Sequence, residues 1–364
     1  MRIVCKIGTS SITDAEGEIR TDAVASFCKE VAALRDDGHE VVAVTSGAIA
    51  AGLPALRLNG GSRPRDAQTL QAVSAVGQSR LMHVYDKAFD DLGVVSGQVL
   101  LAPLDFGVRQ QYLHARGTIR RLLELGVVPV VNENDAIADD EIRFGDNDRL
   151  AALVAHLIDA SVLVMLTDAP GLLTADPRLD PSASLIEEIV EVDHTLEAVA
   201  GGAGTVRGSG GMASKIAAAK IAAWSGVRVV IASADRPGVL RAAVEGESGV
   251  GTVVLPRDRR LPARKLWIAF AVDARGTVVV DDGARRALCE GGRSLLPAGV
   301  VAIEGRFSAD EAVELAGPDR KVFAKGLVRA GSDVLTSIAG RRTADLPDGV
   351  VHEVVHRDDL VVLP

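Results

Sequence analysis

Aromatic residues make up 3% of this chain of 364 residues, a scarcity that argues against the stacking platforms that hold single-stranded nucleic acid. Cysteine is as scarce. Cys5, Cys28 and Cys289 are odd in number and far apart, with no CxxC or Cys/His spacing. That excludes a disulfide framework or a zinc ribbon and fits reduced thiols in a cytoplasm. No apolar run approaches the ~20 residues of a membrane span, and the first residues enter a strand-like run rather than a leader. There is no HExxH, no GxSxG elbow and no EF-hand loop. The net charge of −9 argues against general polyanion binding. Lysine, finally, supplies only 8 of the 40 basic residues. A compact ammonium grips a phosphate as a point charge, so the few lysines are worth locating.

Apolar residues make up 48% of the chain, a globular composition with room for two or three domains of ~100–200 residues. Residues 1–255 alternate short β-branched runs with longer amphipathic stretches. Strands are expected at Arg2–Ile7, Val41–Thr45, Val94–Leu100, Val128–Asn132, Val162–Thr167 and Val227–Ala232. Helices are expected at Asp22–Asp37, Leu70–Leu92, Tyr112–Leu125, Asp146–Ile158 and Gly211–Ser225. Such alternation, with strands apolar throughout, implies an α/β fold: an αβα sandwich around a mostly parallel sheet. Residues 256–265 are basic and bounded by prolines, and are expected to be a solvated linker. In 266–345, short segments at Trp267–Val272, Thr277–Asp281, Val300–Glu304, Ala312–Leu315 and Val322–Val328 are separated by frequent turns. They describe a small β-rich barrel, with 346–364 as a C-terminal tail.

Two lysines stand beside glycine-rich turns. Lys6 precedes Gly8-Thr9-Ser10 at the end of the first strand, and Lys215 closes Gly208-Ser209-Gly210-Gly211-Met212-Ala213-Ser214-Lys215 at a helix start. Exposed N–H groups, hydroxyls and an ammonium together can hold a transferring phosphoryl group. A plain tight turn and a flexible helix start are the structural alternatives. The spacing is not that of GxxxxGK[ST], and no GxGxxG follows a strand, so any nucleotide is held by another scaffold. Ligands in parallel sheets bind beyond the carboxyl ends of strands. Val44–Gly52, Asn132-Glu133-Asn134-Asp135 and Thr167-Asp168 fall there. The small residues of Val44–Gly52 suit either close approach by a ligand or tight strand–helix packing. Asn132–Asp135 and Gly145-Asp146-Asn147-Asp148 can hydrogen-bond an amino group and the polar edges of a small zwitterion, or cap a helix. Thr167-Asp168 can meet a ribose or phosphates, or form an ordinary loop. His39, His83, His114, His156 and His194 are isolated and read as structural.

Together, Lys6–Ser10, Val44–Gly52, Ala75–Leu81, Val131–Asp135, Gly145–Asp148, Leu166–Arg178 and Gly210–Lys215 resemble the amino acid kinase family, in the branch that phosphorylates glutamate. The likeness spans nearly the whole chain, and Thr277–Gly283 with Gly291–Gly299 resembles a PUA domain. The resemblance implies that ATP and L-glutamate give ADP and L-glutamyl 5-phosphate with Mg²⁺, the first committed step towards proline. It assigns the transferring phosphoryl group to Lys6 and Lys215, and the orientation of both lysines to Asp148. Glutamate falls to Ser46, Asp135 and Asn147. ATP falls to Lys6, Thr167, Asp168 and the run Ser209, Gly210, Gly211, Met212, Ala213, Ser214, Lys215. It further implies feedback inhibition by proline and a homo-oligomer, dimer or tetramer, with no membrane partner. The family's Gly-Thr-Gly-Gly-Met and Thr-Lys stand here as Gly208–Met212 and Ser214-Lys215, which keeps the hydroxyls. Ala309-Asp310-Glu311 departs from the Gly-Asp turn common in PUA domains, which weakens a role in binding RNA. Kinases of aspartate, N-acetylglutamate or carbamate are the near alternatives. An RNA-binding or RNA-modifying protein is the distant one.

Overall fold

An uninterrupted apolar run forms β1 (Arg2–Ile7), whose Ile3, Val4 and Cys5 are fully buried, as a strand covered on both faces requires. The computed structural model describes the chain except for residues 15, 59–63, 65, 103, 138–146, 178–179, 193–195, 197–210, 259, 347–348, 350 and 364. Contacts divide it into two units, Met1–Arg260 and Leu261–Pro364. In the first unit β1 is followed by α1 (Thr9–Ile12), α2 (Thr21–Asp36), β2 (Glu40–Val44), α3 (Ala48–Ala55) and α4 (Ala67–Asp90). Then come β3 (Ser96–Leu101), α5 (Leu104–Gly107), α6 (Arg109–Glu124) and β4 (Val128–Glu133). The unit is completed by α7 (Asn147–Leu157), β5 (Val162–Thr167), β6 (Glu188–Ile189), α8 (Met212–Trp224), β7 (Arg228–Ser233), α9 (Val239–Glu245) and β8 (Thr252–Val254).

The eight strands run in the order β3-β4-β2-β1-β5-β7-β8-β6. Among the described strands of this sheet only β7 and β8 pair antiparallel. The sheet is therefore mostly parallel, as the alternating sequence predicts. Side chains alternate between faces along a strand. Ile3, Cys5 and Ile7 join a core with Val24, Phe27 and Val31 of α2 and Leu81, Tyr85 and Phe89 of α4. Val4 and Lys6 thus turn to the other face, where α7 packs on β1 and against α8. Because β1, β2, β4 and β5 are mutually parallel, their carboxyl ends share one edge. Gly8, Thr45–Gly47, Asn134-Asp135 and Thr167-Asp168 all lie along it. No helix among the described residues is long and apolar enough to cross a membrane.

Within Val44–Gly52, Gly52 serves the packing of helix on helix. A Cβ on Gly52 would lie 2.0 Å from Val73 O, and one on Gly77 would lie 1.8 Å from Ala48 O, so α3 and α4 touch backbone to backbone. Gly47 has φ +98°, a left-handed turn that lets α3 start directly after Ser46.

The second unit holds a five-stranded sheet. Its strands are β9 (Gly276–Val280), β10 (Val300–Gly305), β11 (Ala312–Ala316), β12 (Val322–Val328) and β13 (Val355–Val362), in the order β10-β9-β11-β12-β13. Two segments differ from the sequence expectation. Trp267–Val272 is not a strand. The chain forms α10 (Ala263–Leu266) and continues as one wide helical turn over Trp267–Ala271. A six-residue apolar run does not distinguish strand from helix by period, and Leu266 at the end of α10 and Ile268 on this turn are buried. Residues 346–364 are not merely a tail, since Val355–Val362 pairs antiparallel with β12 and buries Val355 and Leu360. The expected solvated linker also begins on the protein surface. Arg257 N donates to Ala223 O at 2.9 Å and its guanidinium stacks over Trp224, because the aromatic face attracts a cation.

Candidate active site

Lys6, next to last in β1, points at the start of α7. There Asp148 stands in the first turn, and Lys215 reaches the same carboxylate from the first turn of α8. Lys6 Nζ pairs with Asp148 Oδ1, and Lys215 Nζ lies 3.0 Å from Asp148 Oδ2. Exposure is 3% for Lys6, 0% for Asp148 and 5% for Lys215. Burial alone would raise the Asp148 carboxyl, but the Lys6 and Lys215 ammonium groups outweigh it and hold the carboxyl well below the usual range. As a set the three side chains carry +1. Ser214 Oγ lies 2.8 Å from Gly211 O and 3.3 Å from Asp148 Oδ2, so its proton is shared between a helix-capping carbonyl and the same carboxylate. Gly211, Met212, Ala213 and Ser214 form the cap and first turn of α8. Ser209 and Gly210, with Gly145 and Asp146, lie outside the described residues.

On the β2–β4 side, Ser46 Oγ accepts from Thr9 Oγ1 at 3.1 Å and donates to Ile7 O at 3.3 Å. Asp135 accepts from Ser74 Oγ at 2.6 Å. Burial raises the Asp135 carboxyl against the pull of that hydrogen bond. Asn147 Nδ2 donates to Thr45 O at 2.5 Å and to Asn132 Oδ1 at 2.6 Å, and Asn132 Nδ2 donates to Gln78 Oε1 at 2.7 Å. A backbone carbonyl only accepts, so the amide orientation is fixed by chemistry. Both protons of Asn147 are used, and a ligand would meet its carbonyl oxygen. On the other side of β1, Thr167 is buried at the end of β5 and Asp168 is exposed, with Thr167 Oγ1 3.1 Å from Asp168 Oδ1.

Lys6, Asp148, Lys215 and Ser214 thus share one polar cluster. Asn147 is joined to it along α7, and Ser46 through the end of β1. Thr167 stands beside them, since Ile7 pairs with Leu166. Ser74 and Gln78 received no role from sequence reasoning. Their signal is nonetheless there: two polar residues four apart on the buried face of α4, a spacing that stacks them on one side of a helix.

A parallel sheet whose first strand and two following helices gather Lys–Asp–Lys defines a class that comparison identifies. The amino acid kinase family model matches residues 1–233, and the PUA domain model matches residues 276–350. A glutamate 5-kinase of Moorella thermoacetica is 43% identical over 100% of this chain and 96% of its own length. One of Herpetosiphon aurantiacus is 45% identical over 99% of this chain and 98% of its own. A solved structure, a carbamate kinase from Giardia lamblia bound to AMP-PNP, shares the fold with TM-score 0.52. It does so at 18% identity, over 70% of this chain and 98% of that one. The chain belongs to the amino acid kinase family and, within it, to the glutamate 5-kinases.

Proposed function

We propose that the chain transfers the γ-phosphoryl group of ATP to the side-chain carboxylate of L-glutamate, giving ADP and L-glutamyl 5-phosphate on the way to proline. One observation carries the reading: two lysines remote in sequence meet at one buried carboxylate on the sheet edge where ligands bind. A carboxylate oxygen attacks the γ-phosphorus, the bond to the β-phosphate oxygen breaks, and the electron pair leaves with ADP. The nucleophile is already ionised, so no general base is required. The task is to bring an anion up to a polyanion. Two unit charges 4 Å apart repel by ~4 kcal/mol at an effective dielectric of 20. Lys6 and Lys215 offset repulsion of that order and stabilise charge on the transferring group. Asp148 positions both amines.

The glutamate α-ammonium meets acceptors at Asp135 and Asn147 Oδ1, and Ser46 adds a hydroxyl. Thr167, Asp168 and the run Ser209–Lys215 hold ATP. Asp148 is paired with two ammonium groups, so Mg²⁺ would be held mainly through ATP phosphates, where it would supply further charge neutralisation. Proline acts as a feedback inhibitor near the glutamate site, and the enzyme works in the cytoplasm as a dimer or tetramer. ADP release measured with glutamate, aspartate, N-acetylglutamate and carbamate tests the reading. Glutamate is expected to support turnover and the others far less. Preference for another acid would refute it.

A further inference from the structure

We infer, on the basis of the phosphoryl transfer proposed above, that Arg257 and Arg260 are positioning residues. They act from the far ends of the two helices that carry Asp148 and Lys215. Each of those residues lies in the first turn of its helix, and each helix ends about 14 Å away at 1.5 Å per residue. One short segment spans both ends. It leaves β8 with Leu255 N on Ile189 O at 2.9 Å, and Arg257 N then donates to Ala223 O at 2.9 Å. The Arg257 guanidinium sits 4.3 Å from the centre of the Trp224 ring and pairs with Glu191, which fixes the end of α8. Arg260 Nη2 reaches Asp159 Oδ1 at 2.6 Å and His156 O at 3.1 Å, which fixes the end of α7. Asp159 sits in a left-handed conformation, φ +58°, and is also gripped by Arg116 and Arg120 of α6 at 2.6 and 2.5 Å. The carbonyls at a helix C-terminus carry partial negative charge that favours guanidinium there.

Between these ends the buried positions mix alanines with larger side chains, Leu150, Leu153 and Val154 on α7 and Ile216 and Ile221 on α8. The buried positions of α7 include Ala151, Ala152 and Ala155, and those of α8 include Ala218, Ala219, Ala222 and Ala223. A slide of one residue, ~1.5 Å, would break the 3.0 Å contact between Lys215 and Asp148, and ~1 Å misplacements at a reacting centre cost up to ~100-fold in rate. The strap of Arg257 and Arg260 sets the helix register, and through it where Lys215 Nζ stands.

The test compares the full-length wild type with Arg257→Ala/Arg260→Ala and with Arg257→Lys/Arg260→Lys, by hydrogen exchange and by steady-state kinetics. In the alanine variant, exchange at residues 215–218 is expected to rise roughly fivefold. Its kcat should fall roughly tenfold with both KM values within about twofold of wild type. The lysine variant, which keeps the charges, should recover part of both. Exchange changes confined to residues 221–227 and 254–260, or a kcat within about twofold of wild type, would overturn the inference. If the wild type shows no glutamate-dependent turnover, the proposed reaction fails, and exchange at 215–218 still decides the strap.

Discussion

Asp148 is the residue on which both lysines depend, and its electrostatics give a testable pH signature. Its folded carboxyl is held below its unfolded value by Lys6 and Lys215 against the effect of burial. A depressed carboxyl contributes stability above the unfolded range and loses it as pH falls through the folded value. Asp148→Asn removes that titration and leaves two buried amines without their carboxylate. It should be less stable at neutral pH by about 3–5 kcal/mol. The gap should narrow once pH drops below ~4, as denaturant melts across pH would read. A gap that stays constant down to acid pH would count against the pairing. On the acceptor side, Asp135→Ala should raise the KM for glutamate far more than that for ATP, because its carboxylate is proposed to hold the amino acid and not the nucleotide. Equal effects on both would argue against its placement. Some of this was legible from residue types alone: rare lysines beside glycine-rich turns stand out against an arginine-rich background. What spacing could not show is that two lysines so remote in sequence share one carboxylate, or that Ser74 and Gln78 hold Asp135 and Asn132 from α4.

Among the elements, β1 and β5 match their expected limits because each is an unbroken apolar run buried on both faces, the clearest pattern a parallel sheet offers. Two-residue β6 and three-residue β8 carry too little pattern to be seen. Trp267–Ala271 misleads because short apolar runs suit either period. The run Val44–Gly52 was open between ligand approach and strand–helix packing, and the Cβ positions at Gly52 and Gly77 show instead that Gly52 lets one helix, α3, lie against another, α4. Gly77→Ala must push α3 away from α4, since its Cβ would meet the Ala48 carbonyl and the Gly52 nitrogen at 1.8 and 2.5 Å. It should cost about 1–3 kcal/mol in denaturant melts. Because α3 starts directly after Ser46, it should also raise the KM for glutamate. A variant of wild-type stability and KM would show that the helices do not meet this closely.

At the scale of the molecule, the kinase unit places its parts by topology. β1 lies mid-sheet, with β2 and β4 on one side and β5 and β7 on the other. Residues proposed for glutamate come from the first side and those proposed for ATP from the second. Lys6 stands between them, and Lys215 is brought in by α8. A net charge of −9 surrounds this pair, so the attraction for two anionic substrates must be local. The fold class was legible from strand–helix alternation alone, and the family from short motifs in a fixed order. The C-terminal strand was not, because Val355–Val362 finds its partner β12 across an intervening helix rather than a tight turn. Steady-state kcat of the full-length Lys215→Ala variant, at saturating glutamate and ATP, is the direct check on the two converging amines. A fall of roughly 100-fold or more, in a protein that still melts cooperatively, is expected. Turnover close to wild type would mean that the amine meeting Asp148 does not act on the transferring phosphoryl group.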